Sequence, residues 1–137
     1  MNKELLNVVT DFNNTLISLA QNIASVCHKS VIAANLKDIE KQLKRKDNFT
    51  KFIDLFCVKV LVYKDKIDAC DEDFFMNKDY KSDLNDQNAS ALDHVISMKS
   101  IWSDLKNENK EIVMLNMQIL CELSQQYFRL VSQGMNA

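Results

Sequence analysis

The sequence predicts an all-α protein, an irregular bundle of about five helices with a long acidic connector between the third and the fourth. Two observations carry that expectation. The 137 residues include no proline and a single glycine, Gly134, so the residues that punctuate hairpins, bulges and phosphate-cradling loops are nearly missing. Apolar residues also recur at alternating steps of three and four along most of the chain, the spacing of one helix face. A composition of 47% hydrophobic and 26% charged residues suits a globular core, and the length suits one domain over 1–137.

The first helix is expected over 2–26, where Leu5, Val8, Val9, Phe12, Leu16, Leu19, Ile23 and Val26 form one stripe. "CHKS" then interrupts the pattern, and Ser30 is placed to cap a short turn through Val31 and Ile32. Asn35 followed by Asp38 resembles the start of a second helix, with Leu36, Ile39 and Leu43 as its narrow apolar stripe. The other face of that helix carries Lys37, Lys41, Lys44, Arg45 and Lys46.

Asn48 is expected to cap the third helix, whose face comprises Phe49, Phe52, Ile53, Phe56, Val60, Leu61 and Ile67, widened by Cys57 and Val58. The β-branched residues in "CVKVLVY" would permit a strand, but the flanking spacing favours a helix. Periodicity is lost over 68–88, the acidic connector, with one short turn expected around Phe74 to Met76. A connector of that length in a compact domain is where function tends to sit. Ser90 and Asp93 open a fourth helix presenting Leu92, Val95, Ile96, the Lys99 stem, Trp102 and Leu105. The fifth begins near Asn107, presents Ile112, Leu115, Ile119, Leu120, Leu123, Tyr127 and Leu130, and ends at Gly134.

Several chemistries fit poorly. A calcium loop needs oxygen ligands at positions 1, 3, 5 and 12 with glycine at 6. Counting from Asp71 puts Phe75, Met76 and Ser82 at positions 5, 6 and 12, and counting from Asp83 puts His94 at 12. For zinc, Cys27, His28, Cys57, Cys70, His94 and Cys121 show no paired ligand spacing. A catalytic group would have to be assembled from scattered residues such as Cys57, His94 and Glu122, with no local signature. One glycine cannot make a phosphate loop. No enzyme activity, cofactor or metal is expected.

The net charge of −2 is unevenly spread, with 8 basic and 5 acidic groups in residues 1–51 against 9 and 14 beyond. Lys41, Lys44, Arg45 and Lys46 offer a nucleic-acid face, but no aromatic platform accompanies it, and a solvated helix face is the simpler expectation. No run has the length of a membrane span, and the N-terminal residues are too polar for a signal peptide. An intracellular setting is therefore expected, with four reduced thiols and no glycan on the sequons at Asn13, Asn48 and Asn88.

Within the connector, Asp71 and Asp73 stand beside Phe74, Phe75 and Met76, with Tyr80 following. Burying one phenylalanine is worth ~1.5 to 3 kcal/mol, so these rings are expected either to pin the connector across the helices or to dock a protein partner.

"YKDKIDACDEDFFMNKDY" followed by "IWSDLKNENKEIVMLNMQILCELSQQYF" resembles short uncharacterised helical proteins of nucleocytoplasmic large DNA viruses. There an acidic "DE.FF...DY" connector precedes a helix ending in Trp, an "L..ENK" turn and a final helix. The matching positions are Asp71, Glu72, Phe74, Phe75, Asp79, Tyr80, Trp102, Leu105, Glu108, Asn109 and Lys110, in the C-terminal half. The resemblance implies a viral origin and no particular activity.

The expected function is thus a non-enzymatic protein-interaction module of a large DNA virus, in the infected cytoplasm or the virion. It would bind through the 68–88 connector, with Asp71, Asp73, Phe74, Phe75, Met76 and Tyr80 in contact, or through a groove beside it. Two alternatives stand: a helix-binding groove of the apoptosis-regulator type along the Phe-rich third helix, without that family's Asn-Trp-Gly-Arg signature, and weak nucleic-acid binding. Pairing of two copies through the first helix is left open.

Overall fold

A computed structural model of the chain describes residues 2–77, 92, 95 and 101–134. Among the described residues the fold is all-α, without strands. Helix α1 spans Lys3–Val26 and α2 spans Val31–Lys44. Three short helices follow, α3 (Lys51–Lys59), α4 (Lys64–Asp68) and α5 (Glu72–Asn77), and the long α6 spans Asn107–Ser132. One hydrophobic core joins them all.

Helix α1 begins where Asn2 accepts hydrogen bonds from the Glu4 and Leu5 amides at 2.8 and 3.3 Å, satisfying donors that have no partner within the helix. Its stripe is buried from Leu5 to Ile23, while Val26 at the end is exposed. It packs against α6 along one side and α2 along the other. The start of α1 (Glu4, Asn7, Asp11) faces the end of α6 (Gln126, Arg129, Gln133), and Asn14 and Ser18 face Asn116. The two long helices are therefore antiparallel.

Helix α2 starts earlier than its sequence suggested. Ser30 Oγ accepts from the Ala33 amide at 3.1 Å, so the turn through Val31 and Ile32 is the first turn of the helix itself. Ile32 is buried with Ile39 and Leu43, and this extra anchor explains the continuity. Asn35 lies inside the helix and donates to the Val31 carbonyl at 2.8 Å.

Two buried asparagines hold the corner between α2 and α3. Asn13 donates through Nδ2 to the Phe49 carbonyl and Asn48 to the Gln42 carbonyl, each at 2.9 Å. Asn48 thus turns back toward α2 and does not cap α3. Both belong to the sequons noted above, and both side chains are committed to backbone within the fold.

The third predicted helix is broken. It stops at Lys59, passes through a 3₁₀ turn at Leu61–Tyr63 and resumes as α4. The break falls on Val60 and Val62, whose branched side chains lose χ1 freedom in a helix. Val60 turns into the core, whereas Val58 and Val62 are exposed, so Val58 does not widen the buried face as expected. Phe52, Ile53 and Phe56 are wholly buried, and Phe56 meets Phe12 of α1 edge-on, 5.4 Å between centroids.

The predicted fourth helix lies largely outside the described residues. Of it, Leu92 and Val95 are helical and buried. Trp102 belongs to a 3₁₀ turn, Trp102–Asp104, and Leu105 has extended backbone. Both are buried. Helix α6 then ends as expected, with Gly134 at φ 77°, a conformation glycine adopts without steric cost.

Candidate functional site

The acidic segment is held by specific contacts. Cys70 sits at φ 53°, in the left-handed region that turns the chain sharply after α4. Asp71 Oδ1 accepts from the Phe74 amide at 3.2 Å, which makes Asp71 the cap of α5, and its carboxylate lies 3.8 Å from Lys66. Asp73 is exposed. The Phe75 ring is 1% exposed and lies nearly parallel to Trp102, 5.0 Å between centroids. Phe74 is half-buried, 5.4 Å from the Tyr63 ring and 5.7 Å from Phe75. The Met76 side chain and Tyr80 lie outside the described residues.

Glu72 joins this segment to the start of α6. Its Oε1 accepts from Trp102 Nε1 at 3.1 Å and from Lys110 Nζ at 2.7 Å. The Lys110 hydrogen bond, then the Trp102 one, hold the Glu72 carboxyl below its usual pKa. Lys110 Nζ also lies 5.5 Å from the centre of the Trp102 ring, a favourable place for a cation. In this arrangement Phe75 is a pin, and its ring presents no docking surface.

An exposed apolar stripe lies on α6, apart from scattered exposed residues such as Leu6, Val31, Val58, Val62 and Phe128. Helix α6 buries Val113, Met117, Leu120, Cys121, Ser124, Tyr127 and Leu130. Ile112, Leu115 and Ile119, assigned from sequence to its buried face, are 39%, 57% and 38% exposed. They share one outer stripe at i, i+3 and i+7. Helix α6 therefore has two apolar faces, which the sequence reading merged. The signal was present, because Val113, Met117, Leu120, Ser124 and Tyr127 already complete a stripe at steps of four and three without the other three.

Grooves flank the outer stripe. One, of about 530 Å³, lies between α6 and α4 and is lined by Asp68, Leu115, Gln118, Ile119, Glu122 and Leu123 among others. The other, of about 390 Å³, lies against α1 and includes Asp11, Asn14, Ser18, Ile119 and Leu123. Along α6, Glu108 precedes Ile112 by four residues, Glu111 precedes Leu115 by four, and Glu122 follows Ile119 by three, which puts all three acids on the stripe's side of the helix. Asp11, Asp68, Glu108, Glu111 and Glu122 are all exposed. Lys64 bonds Asp68 and lies 3.5 Å from Glu122. Its pKa is raised, chiefly by the Asp68 hydrogen bond.

The basic residues Lys41, Lys44, Arg45 and Lys46 are exposed at the end of α2. Arg45 forms a two-point pair with Asp47, at 2.9 and 3.2 Å, and Lys44 lies 3.9 Å from Glu40. Part of this charge is thus met within the chain.

Three of the four thiols, Cys27, Cys57 and Cys121, have raised pKa values, which suits a nucleophile poorly. Burial pushes Cys57 up to about 11 and Cys121 up to about 12, and Cys57 donates to the Ser124 carbonyl at 3.4 Å. Cys27 lines an open cleft of about 440 Å³ with His28, Ser30 and Asp104. Its thiol is raised by burial and then by Asp104. His28 is exposed, and His94 lies outside the described residues. Among the described residues no three His, Cys, Asp or Glu side chains are grouped to hold a metal ion, and no helix is long and apolar enough to cross a membrane. Compared with protein-family models, with curated proteins and with solved structures, the chain matches none.

Proposed function

We propose that the chain is a non-enzymatic helical protein-interaction module of a large DNA virus, acting in the infected cytoplasm or in the virion. It docks a protein partner through the outer stripe of α6 and the groove between α6 and α4, next to the acidic segment. The carrying observation is the second apolar face of α6. A helix that already buries a full stripe has no folding reason to expose Ile112, Leu115 and Ile119 in register, and contiguous exposed apolar surface is characteristic of interaction sites. The raised thiols and the absence of catalytic motifs in the sequence favour binding over chemistry.

Neither alternative gains comparable support. A groove along α3 would need accessible Phe52, Ile53 and Phe56, and all three are buried. The basic end of α2 has no aromatic platform in its sequence, and Arg45 is paired with Asp47.

The test is affinity capture from infected-cell extract with the wild-type protein, a Leu115→Lys, Ile119→Lys variant and a Lys41→Glu, Lys44→Glu variant. The expected result is a partner set lost with the α6 variant and kept with the α2 variant. Identical sets from wild type and the α6 variant would remove the outer face as the docking site.

A further inference from the structure

The chemistry around the α6 stripe identifies the kind of partner it fits. We infer that its occupant is a basic amphipathic helix of another protein, laid along α6 with apolar residues on Ile112, Leu115 and Ile119 and lysines or arginines toward the surrounding carboxylates. This rests on the reading of the outer face as a docking surface and names what docks there.

Length comes first. From Ile112 to Leu123 the surface runs about 16 Å at 1.5 Å per residue, or three turns. Three apolar anchors at i, i+3 and i+7 with a groove on either side are the complement of one helix ridge, because helices pack by setting ridges into grooves.

Charge selects among helices. The exposed carboxylates beside the stripe are Asp11 from α1, Asp68 from α4, and Glu108, Glu111 and Glu122 from α6 itself. The cations nearby are few. Lys64 is engaged by Asp68 and Glu122, Lys110 points to Glu72 and Trp102, and Arg129 lies beyond Glu122 toward the end of the helix. The acids concentrate on the α4 side and along α6, with Asp68, Glu108, Glu111 and Glu122, while the α1 side is neutral apart from Asp11, which shares a cleft with Arg129. A cationic partner would be steered to the acidic side and held in register. A second copy of the chain meets the opposite condition. Two-fold pairing of identical stripes brings like carboxylates together, and like-charge juxtaposition across an interface is costly.

The test uses the whole protein and two synthetic helical peptides of equal length and identical apolar positions, one with lysines on its flanks and one with glutamates, neither containing tryptophan. Binding is read by fluorescence anisotropy of a peptide-borne dye, and oligomeric state by sedimentation velocity. The lysine peptide is expected to bind at least about tenfold tighter than the glutamate peptide. Leu115→Ser with Ile119→Ser is expected to weaken it about tenfold or more. Glu111→Gln with Glu122→Gln should weaken it severalfold and flatten its salt dependence. Circular dichroism unchanged from wild type shows that each variant is folded.

The failures separate. Equal or tighter binding of the glutamate peptide at the same residues overturns the basic partner and leaves the docking surface standing. Lysine-peptide binding indifferent to the serine variant marks a non-specific attraction to acids and overturns the inference. A dimer that the serine variant dissociates assigns the face to a second copy. If neither peptide binds and the protein is monomeric, the docking surface falls as well.

Discussion

The two long helices and the chain between Lys59 and Asn77 are built on different principles. Helices α1 and α6 lie antiparallel and share many interchangeable apolar contacts, so their stability is spread over the length of both. The segment containing α4 and α5 has few turns of helix and is fixed by particular side chains: Asp71 capping α5, Phe75 against Trp102, and Glu72 bridging Trp102 and Lys110. Distributed burial tolerates loss at one position, whereas a short helix that depends on one ring does not. The contrast leads to the expectation that the segment opens by itself, separably from global unfolding.

The largest expected effect tests that separation directly. Phe12→Ala and Phe75→Ala each remove a buried ring, for a cost of about 3–5 kcal/mol where the site belongs to the global cooperative unit. The protein has one tryptophan, Trp102, so its fluorescence reports on the segment while far-UV circular dichroism reports mainly on the long helices. In Phe12→Ala both signals should shift together to lower urea. In Phe75→Ala the fluorescence transition should come first, with most helical signal retained. Coincident transitions in Phe75→Ala would show that the two regions are one unit and end the comparison.

This contrast also decides what was legible in the sequence. A stripe of Leu5, Val9, Phe12, Leu16, Leu19 and Ile23 has one reading, and α1 was placed within a residue of its observed ends. Periodicity failed where a second term competed with it. Val60 and Val62 stand where the apolar pattern of their neighbours continues but the α-helix is interrupted. In α6, two apolar faces overlapped in one run of residues, so burial could not be assigned by spacing alone. The choice between pin and handle for Phe75 depended on Trp102, 27 residues away and in a turn with no periodic signal. Asn13, noted only as a sequon, and Asn48, expected to cap the third helix, hold the α2–α3 corner through contacts to backbone that carry no sequence signature.

A smaller effect is expected at the joint between α3 and α6, where Tyr127 donates to Asp54 Oδ1 at 2.5 Å. Tyr127→Phe should cost about 1 kcal/mol, because the exposed Asp54 carboxylate regains water. Burial, then the Asp54 hydrogen bond, raise the phenol's pKa above its ordinary value of 10.0. The folded state therefore keeps its proton where the unfolded chain loses it. This contribution is full below pH 10 and declines as pH rises above it. Urea midpoints between pH 9 and 11, read by circular dichroism, should show a steeper alkaline decline in wild type than in Tyr127→Phe. Equal slopes would detach the phenol from global stability.

Glu72 gives the opposite limb and belongs to the segment alone. Its pKa is lowered from 4.5 by Lys110 first and Trp102 second, so its stabilising contribution is present above pH 4.5 and is lost as pH falls through the lowered value. Acidification from pH 5 to 3 should loosen the Trp102 environment before it reduces helical content, and Glu72→Gln should blunt the fluorescence change. If circular dichroism and fluorescence fall together and the variant behaves as wild type, the Glu72 bridge does not fix the segment.

Three of the four thiols offer the finest reading, because Cys70, Cys57 and Cys121 sample different depths of the same molecule. Cys70 is exposed at the turn before α5, Cys57 is half-buried beside the break after α3, and Cys121 is buried on α6. A thiol reacts as its thiolate, so raising Cys57 from 9.0 to about 11 lowers its thiolate fraction about a hundredfold at neutral pH, a loss the greater nucleophilicity of the more basic thiolate offsets only in part. Cys121, raised to about 12, has a thiolate fraction about a thousandfold lower on the same basis, and its burial ties it further to opening of the long helices. Labelling followed by mass spectrometry should therefore proceed in the order Cys70, Cys57, Cys121. The informative variant is again Phe75→Ala. If the α4–α5 segment opens independently, that substitution leaves the Cys121 rate tied to global unfolding and changes Cys57 only as far as the break at Val60 follows the segment. Acceleration of Cys121 in step with the loss of Phe75 would place α6 in the same cooperative unit as the pin, making the long helices dependent on the ring that was expected to depend on them.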